Sequence, residues 1–170
     1  MIQQADYFSL FDFKPQFNID QDALKQRYLE LQMQIHPDRY ADKSAQEQRV
    51  AVQLTTQIND AYKTLKNPVS RAQYLLKLKA PSASAKLAPE FLMQQMELHE
   101  QLDDIKSNQS IESLHVIKHQ VQSLQDDLLQ TMAQQLEQQQ WNTAYQSIEG
   151  LQFYVRLLQQ IDDLEFEWNG

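Results

Sequence analysis

Three consecutive residues, His36, Pro37 and Asp38, combine an imidazole, a rigid turn and a carboxylate. An imidazole beside a carboxylate can move protons, and both groups can form hydrogen bonds to a partner protein. The chain has no cysteine, which excludes disulfides, thiolate metal sites and a cysteine nucleophile. Taken alone, the tripeptide is explained more simply as a solvated turn that ends a helix.

Two other patterns could suggest metal binding or catalysis. His115 and His119 have the i, i+4 spacing of zinc ligands on a helix, but Val116 stands where a zinc protease needs glutamate, and no third ligand is evident. Paired acids occur at 103–104, 126–127 and 162–163. Adjacent residues on a helix do not face each other, so these pairs are not catalytic dyads. We therefore predict no catalytic residue, no metal and no cofactor.

The tripeptide needs two helices to present it. Asp20 can cap a first helix over residues 21–35, and Pro37 opposes its continuation. The apolar positions of that helix are Leu24, Tyr28, Leu31 and Ile35. Ser44 and Glu47 fit a capping box that opens a second helix ending at residues 67–68. Its apolar positions recur at helical spacing: Val50, Leu54, Ile58, Ala61 and Leu65. We predict that the two helices pair antiparallel and leave the tripeptide on an exposed corner. A short helix capped by Asp6 precedes them, and another over about 68–79 follows.

Composition and charge indicate two helical modules. The chain has 2 glycines and 5 prolines in 170 residues, which favours an all-α fold. Residues 1–80 carry a net charge of +2 and residues 81–170 carry −10. This asymmetry argues against nucleic-acid binding. No apolar run is long enough to span a membrane, and the N-terminus lacks a signal-peptide pattern, so a cytoplasmic protein is expected.

Small residues at 80–86 mark the boundary between the modules. We predict domains at 1–80 and 89–170, joined by a linker at 81–88. The second domain reads as an antiparallel bundle of three helices, over about 89–106, 111–139 and 143–167. Pro89 suits a first helical turn, and Ser110 and Asn142 are candidate caps. Gly150 weakens the third helix unless close packing requires it.

The first domain resembles a J-domain. The resemblance rests on motifs in the right order over about 75 residues: Asp6-Tyr7-Phe8, His36-Pro37-Asp38, Ile58-Asn59 with Ala61-Tyr62, and Asn67-Pro68 with Arg71-Ala72 and Tyr74. Leu75 stands where most J-domains continue with an acidic residue, which points to a divergent subclass.

The second domain is similar to the C-terminal domain of the HscB family, the J-domain co-chaperones of iron–sulfur cluster assembly. The matching residues are Phe91-Leu92-Met93, Met96-Glu97-Leu98, Glu100, Leu102 and Asp103-Asp104. The resemblance implies an L-shaped, all-α co-chaperone that stimulates the ATPase of a DnaK-type chaperone, HscA, and delivers the scaffold protein IscU to it. The eukaryotic members' cysteine motif is absent, which favours a bacterial form.

The resemblance also assigns two binding surfaces. HscA would contact His36, Pro37 and Asp38, with Lys25, Arg27 and Arg39 steering its approach, although a solvated helix face explains Lys25 and Arg27 equally well. IscU would bind one face of the first bundle helix and a residue of the third: Leu92, Met93, Met96, Glu97, Glu100, Asp104 and Phe153. Met96 and Asp104 replace a leucine and a glutamate typical of the family.

The alternatives stay open at this point. Leu92, Met93 and Met96 could instead be core residues, but Leu98, Leu102 and Ile105 already supply the one inward stripe that the helix needs. A J-protein for another client, a hydrolase using His36 and Asp38, and a purely structural bundle are the rival functions.

Overall fold

The computed structural model describes residues 6–35 and 42–169. These residues form seven helices and no strand. The chain divides into two compact units on either side of the Lys79–Ala80 bond. The predicted corner, with His36, Pro37, Asp38 and Arg39, lies outside the described residues. None of the helices described is long and apolar enough to cross a membrane.

Three predicted caps begin the helices of the first unit. The Asp6 carboxylate accepts from the backbone N–H groups of Phe8 and Ser9 at the start of α1 (Tyr7–Leu10). Asp20 caps α2 (Gln21–Gln34) in the same way. Ser44 and Glu47 form the predicted capping box of α3 (Ala45–Lys66), and α4 follows over Pro68–Lys79. Each cap satisfies backbone donors that the first helical turn leaves free.

Helices α2 and α3 pair antiparallel through an aromatic and polar seam. The rings of Tyr28 and Tyr62 stack with centroids 4.0 Å apart. One turn along, the Gln32 amide donates to Asn59 Oδ1 at 2.8 Å and to the Tyr28 hydroxyl at 2.7 Å. Position 28 therefore lies opposite 62, and position 32 lies opposite 59.

The predicted core of α3 is right in its second half and wrong in its first. Ile58, Ala61 and Leu65 are buried, but Val50 and Leu54 are 48% and 39% exposed. The same turns of α3 bury Ala51, which is 2% exposed. The inward face of the helix at this end therefore runs through position 51 and leaves Val50 and Leu54 beside it.

Helix α4 closes the first unit through Tyr74 and Arg71. The Tyr74 hydroxyl accepts from the Tyr7 backbone N–H at 2.9 Å, and the two rings stack at 4.4 Å. Arg71 is 7% exposed and donates to the Leu65 carbonyl at 2.5 Å, while its guanidinium lies 4.9 Å from the Phe17 ring centroid. Burial lowers the pKa of Arg71.

Three long helices form the second unit: α5 (Pro89–Asn108), α6 (Ile111–Glu137) and α7 (Trp141–Asn169). Ser110 caps α6 as predicted. The prediction that Asn142 caps the third helix is wrong. Helix α7 begins at Trp141, so Asn142 lies in its first turn and accepts from the Ser84 backbone N–H at 3.3 Å.

The bundle core is built largely from the predicted stripes. One cluster of its buried residues contains Leu98, Leu102, Leu114, Ile117, Val121, Phe153, Tyr154, Leu157 and Ile161. Val155 was predicted among them but is 46% exposed. Helix packing is close at Gly150, because a Cβ there would lie 2.8 Å from Leu128 Cδ2 and 3.1 Å from Phe91 Cζ, so a larger residue requires these side chains to shift. Helix α7 therefore packs on both other helices at this point.

Candidate binding surfaces

An apolar patch lies on the outer face of α5. Leu92, Met93 and Met96 are 45%, 58% and 63% exposed. Leu98 and Leu102, two and six residues after Met96, are 1% and 0% exposed. The sequence-based prediction that the first three side chains lie outside the core is therefore confirmed. Clustered apolar side chains of this exposure are typical of a binding surface.

Carboxylates border the apolar patch. Glu97, Glu100 and Asp104 are all exposed and follow it along α5. Nearby, Asp103 forms an i, i+3 ion pair with Lys106, with Nζ and Oδ1 3.1 Å apart. An apolar centre with a charged rim is the usual anatomy of a protein–protein interface, in which the rim contributes orientation.

Phe153, which the resemblance assigns to the scaffold-binding set, has its side chain in the core and is 6% exposed. Its ring meets Phe91 edge-on at 6.1 Å and lies 5.5 Å from the Tyr154 ring. The physical reason is that α7 packs on two helices, which widens its buried face to take in adjacent positions 153 and 154. The period of one helix does not reveal such a widened face.

His99 was missed by the sequence reasoning. It is exposed, and its ring packs edge-on against Phe153 with centroids 5.4 Å apart. It follows Leu92 by seven residues and Met96 by three, so it shares their face of α5. That spacing is the signal in the sequence that places His99 on this face.

The basic residues of α2 differ in their surroundings. Lys25 is exposed. The Arg27 guanidinium is already engaged by two carboxylates, Asp12 and Glu30, with a 2.9 Å contact to Glu30 Oε2. Hydrogen bonds from Arg27 to both, with Glu30 the larger cause, raise its pKa. Arg27 therefore anchors the loop before α2 rather than offering a free charge.

Two exposed apolar side chains on α2 were also missed. Leu29 and Met33 are 48% and 66% exposed and continue from Lys25 at intervals of four residues. Together with Lys25 they form a stripe on one face of α2 that continues to the last turn of the helix.

One histidine of the α6 pair belongs to an ion-pair network. The His115 ring contacts Glu165 with Nε2 and Oε1 2.8 Å apart, and Lys118 Nζ lies 2.6 Å from Glu165 Oε2 and 2.8 Å from Asp162 Oδ1. Hydrogen bonds from Lys118 and then His115 lower the pKa of Glu165. In the part of the chain that is described, no cluster of three or more potential ligands occurs. The network ties α6 to α7.

Comparison with protein families divides the chain as its two units do. The DnaJ domain family matches residues 6–74, and the family described as the HSCB C-terminal oligomerisation domain matches residues 87–162.

Comparison with individual proteins extends over almost the whole length. The co-chaperone protein HscB homolog of Neisseria meningitidis is 40% identical over 92% of this chain and 97% of that protein. The homolog of Aliivibrio salmonicida is 40% identical over 94% and 96%. Among solved structures, chaperone HscB from Vibrio cholerae has a TM-score of 0.85 at 35% identity, covering 96% of this chain and 99% of that one. Human co-chaperone protein HscB has a TM-score of 0.87 at 29% identity, covering 95% and 83%.

Proposed function

Because the chain belongs to the HscB family of J-domain co-chaperones, we propose that it binds an iron–sulfur scaffold protein of the IscU type and delivers it to a DnaK-type chaperone of the HscA type. In that role it stimulates the ATPase activity of the chaperone and promotes cluster assembly and transfer. The chemistry belongs to the partner. This chain supplies two binding surfaces in the bacterial cytoplasm.

The α5 face carries the scaffold-binding half of the proposal. Leu92, Met93 and Met96 are exposed. The following leucines of the helix, Leu98 and Leu102, are buried in the core of the bundle. Burying them against a partner removes apolar surface from water, the main driving force of association. Methionine side chains adapt to irregular surfaces, which suits a client that changes state. Glu97, Glu100 and Asp104 then favour a partner with basic residues around an apolar contact.

The J-domain carries the chaperone-binding half. Its family match spans residues 6–74, which includes His36, Pro37 and Asp38. An aspartate can accept charge-assisted hydrogen bonds from an arginine on the chaperone. Stimulation requires that the J-domain bind one state of the chaperone more tightly than another. Lys25 remains a candidate for steering the encounter, since its charge is exposed.

Joining the two surfaces in one chain explains why a co-chaperone is useful. A client bound to the second unit is held near a chaperone bound to the first, so their encounter is governed by an effective concentration rather than by bulk concentration. The ATPase of the chaperone is then stimulated where a loaded client is present.

Reconstitution tests the proposal. The purified chain, an HscA-type chaperone and apo-scaffold are mixed, and ATP hydrolysis is followed under steady state. We expect the chain and the scaffold together to raise the rate more than either does alone, and His36→Ala to remove the contribution of the chain. An equal rate with the His36→Ala variant contradicts the proposal, as does hydrolysis by the chain without a chaperone.

A J-domain co-chaperone for a different client is the alternative. The exposed α5 patch favours neither client by itself, so titration calorimetry against apo-scaffold and cluster-loaded scaffold separates them. Absence of heat and of complex with either form, with normal stimulation of the chaperone, favours the other client.

A further inference from the structure

His99 lies within the acidic border of the apolar patch, between Glu97 and Glu100 in the sequence. It follows Met96 by one helical turn, and its side chain is exposed. From Leu92 to Asp104, it is the only residue that can carry a positive charge. The face that otherwise offers apolar groups and carboxylates therefore contains a single basic group.

The imidazole ring of His99 is held in place without using its nitrogens. The ring packs edge-on against Phe153 with centroids 5.4 Å apart, and Phe153 is itself fixed by Phe91 and Tyr154. Neither ring nitrogen of His99 has a hydrogen-bond partner among residues 6–35 and 42–169. A ring that packs against a fixed aromatic neighbour, with nitrogens that no described residue engages, loses less side-chain entropy when it forms a hydrogen bond to a partner.

We propose that His99 is a specificity-determining residue of the scaffold-binding face, where it donates a hydrogen bond to a carboxylate or carbonyl oxygen of the scaffold protein. The inference rests on the proposed function of that face. Carboxylates such as Glu97 and Glu100 select basic groups on the partner, whereas the imidazole N–H of His99 selects a hydrogen-bond acceptor. The face therefore requires an acceptor opposite position 99 and donors around it, and this pattern fixes the orientation of the scaffold.

The same contact assigns a positioning role to Phe153. Because it is 6% exposed, it offers the scaffold almost no surface. Its substitution nevertheless affects the face by releasing the ring of His99. Phe153 then influences binding through His99 rather than through direct contact.

Calorimetric titration of the full chain with apo-scaffold tests the role of His99 by a series of substitutions. His99→Glu removes the donor and inserts a negative charge, so we expect about tenfold or greater loss of affinity. His99→Gln keeps an N–H donor, and we expect an affinity within about threefold of the wild-type value. His119→Glu makes the same change of residue at an exposed position on α6, and we expect an effect below about twofold.

Three results would overturn the inference: unchanged affinity with His99→Glu, equal losses with His99→Gln and His99→Glu, or an equal loss with His119→Glu. If the wild-type chain does not bind the scaffold at all, the proposed function fails instead, so the two failures are distinguishable.

A double-mutant cycle tests the positioning role of Phe153. Phe153→Leu is compared in the wild-type background and with His99→Ala, and thermal unfolding of each variant confirms that it is folded at the titration temperature. We expect Phe153→Leu to weaken binding in the wild type and to have almost no further effect with His99→Ala. Equal losses in the two backgrounds would show that Phe153 does not act through His99.

Discussion

Truncating the apolar patch of α5 provides the sharpest test of the scaffold-binding face. Leu92→Ala combined with Met96→Ala removes the ends of two side chains that are 45% and 63% exposed. Fully burying a leucine or methionine side chain is worth about 1.5–3 kcal/mol. Scaled by the two exposed fractions, the contribution available to binding is about 1.6–3.2 kcal/mol, equivalent to about 15- to 200-fold in Kd.

The assay is calorimetric titration of apo-scaffold, with thermal unfolding of the free variant measured alongside. The matched control is Val116→Ala, which truncates a side chain that is 65% exposed on α6, away from the α5 face in sequence and helix. We expect the double variant to lose affinity in the stated range and to keep its Tm, because neither residue belongs to the bundle core. J-domain stimulation of the chaperone without scaffold is also expected to stay normal.

Two outcomes would refute this reasoning. An unchanged Kd would show that the patch is not the contact surface. A fall in Tm comparable to that of Leu102→Ala, for which loss of a fully buried leucine predicts about 2–5 kcal/mol, would show that Leu92 and Met96 support the core instead.

Three further predictions concern the elements that support the two surfaces. Gly150→Ala is expected to lower the free energy of unfolding by about 1 kcal/mol, because the cost of overpacking exceeds the gain in helix propensity; a higher Tm would contradict the packing described above. Ser44→Ala is expected to destabilise the first unit by about 1 kcal/mol in chemical denaturation, through loss of the cap. Hydrogen bonds from Ser44 lower the pKa of Glu47 in the folded state. The stabilisation that Glu47 contributes is therefore present above its unfolded pKa of 4.5 and is lost as the pH falls through the lower folded pKa. A destabilisation by Ser44→Ala that does not become smaller in acid would contradict this. Lys25→Ala is expected to slow association with the chaperone at low salt, whereas Arg27→Ala is expected mainly to lower the Tm. Stopped-flow binding measures the association rates, and thermal unfolding measures the Tm. Equal losses of association rate would show that the ion-paired Arg27 also attracts the chaperone.

Much of the local structure followed from short stretches of sequence. Asp6, Asp20 and Ser44 cap the helices they were predicted to cap, since a cap depends on a side chain and the backbone two or three residues away. The bundle stripes were also largely correct, because a long helix against one neighbour buries residues at its own period. The resemblance to the HscB family, carried by motifs spread over both domains, is confirmed by the comparisons.

The errors share a different cause. Val50 and Leu54 have a helical period, but the buried face of α3 at that end runs through Ala51 instead. Asn142 has the right chemistry for a cap, but the helix already begins at Trp141. Each outcome depends on which face of an element its neighbours cover or on where the element begins, and the pattern of a single helix does not contain this information.

The sequence by itself determined the two helical modules, their charge asymmetry and the exposed apolar face of α5, because these depend on composition and on periodicity within one element. Only the tertiary structure decided that Phe153 is buried, that His99 rests on it with free ring nitrogens, and that the charge of Arg27 is already paired. The physical reason is that burial and pairing at these positions depend in part on side chains from other elements, such as Asp12, which lies 15 residues before Arg27 in the chain. A helix that packs on two neighbours buries a wider set of positions than its apolar period predicts. A charged side chain is free to bind a partner only if the fold places no opposite charge next to it.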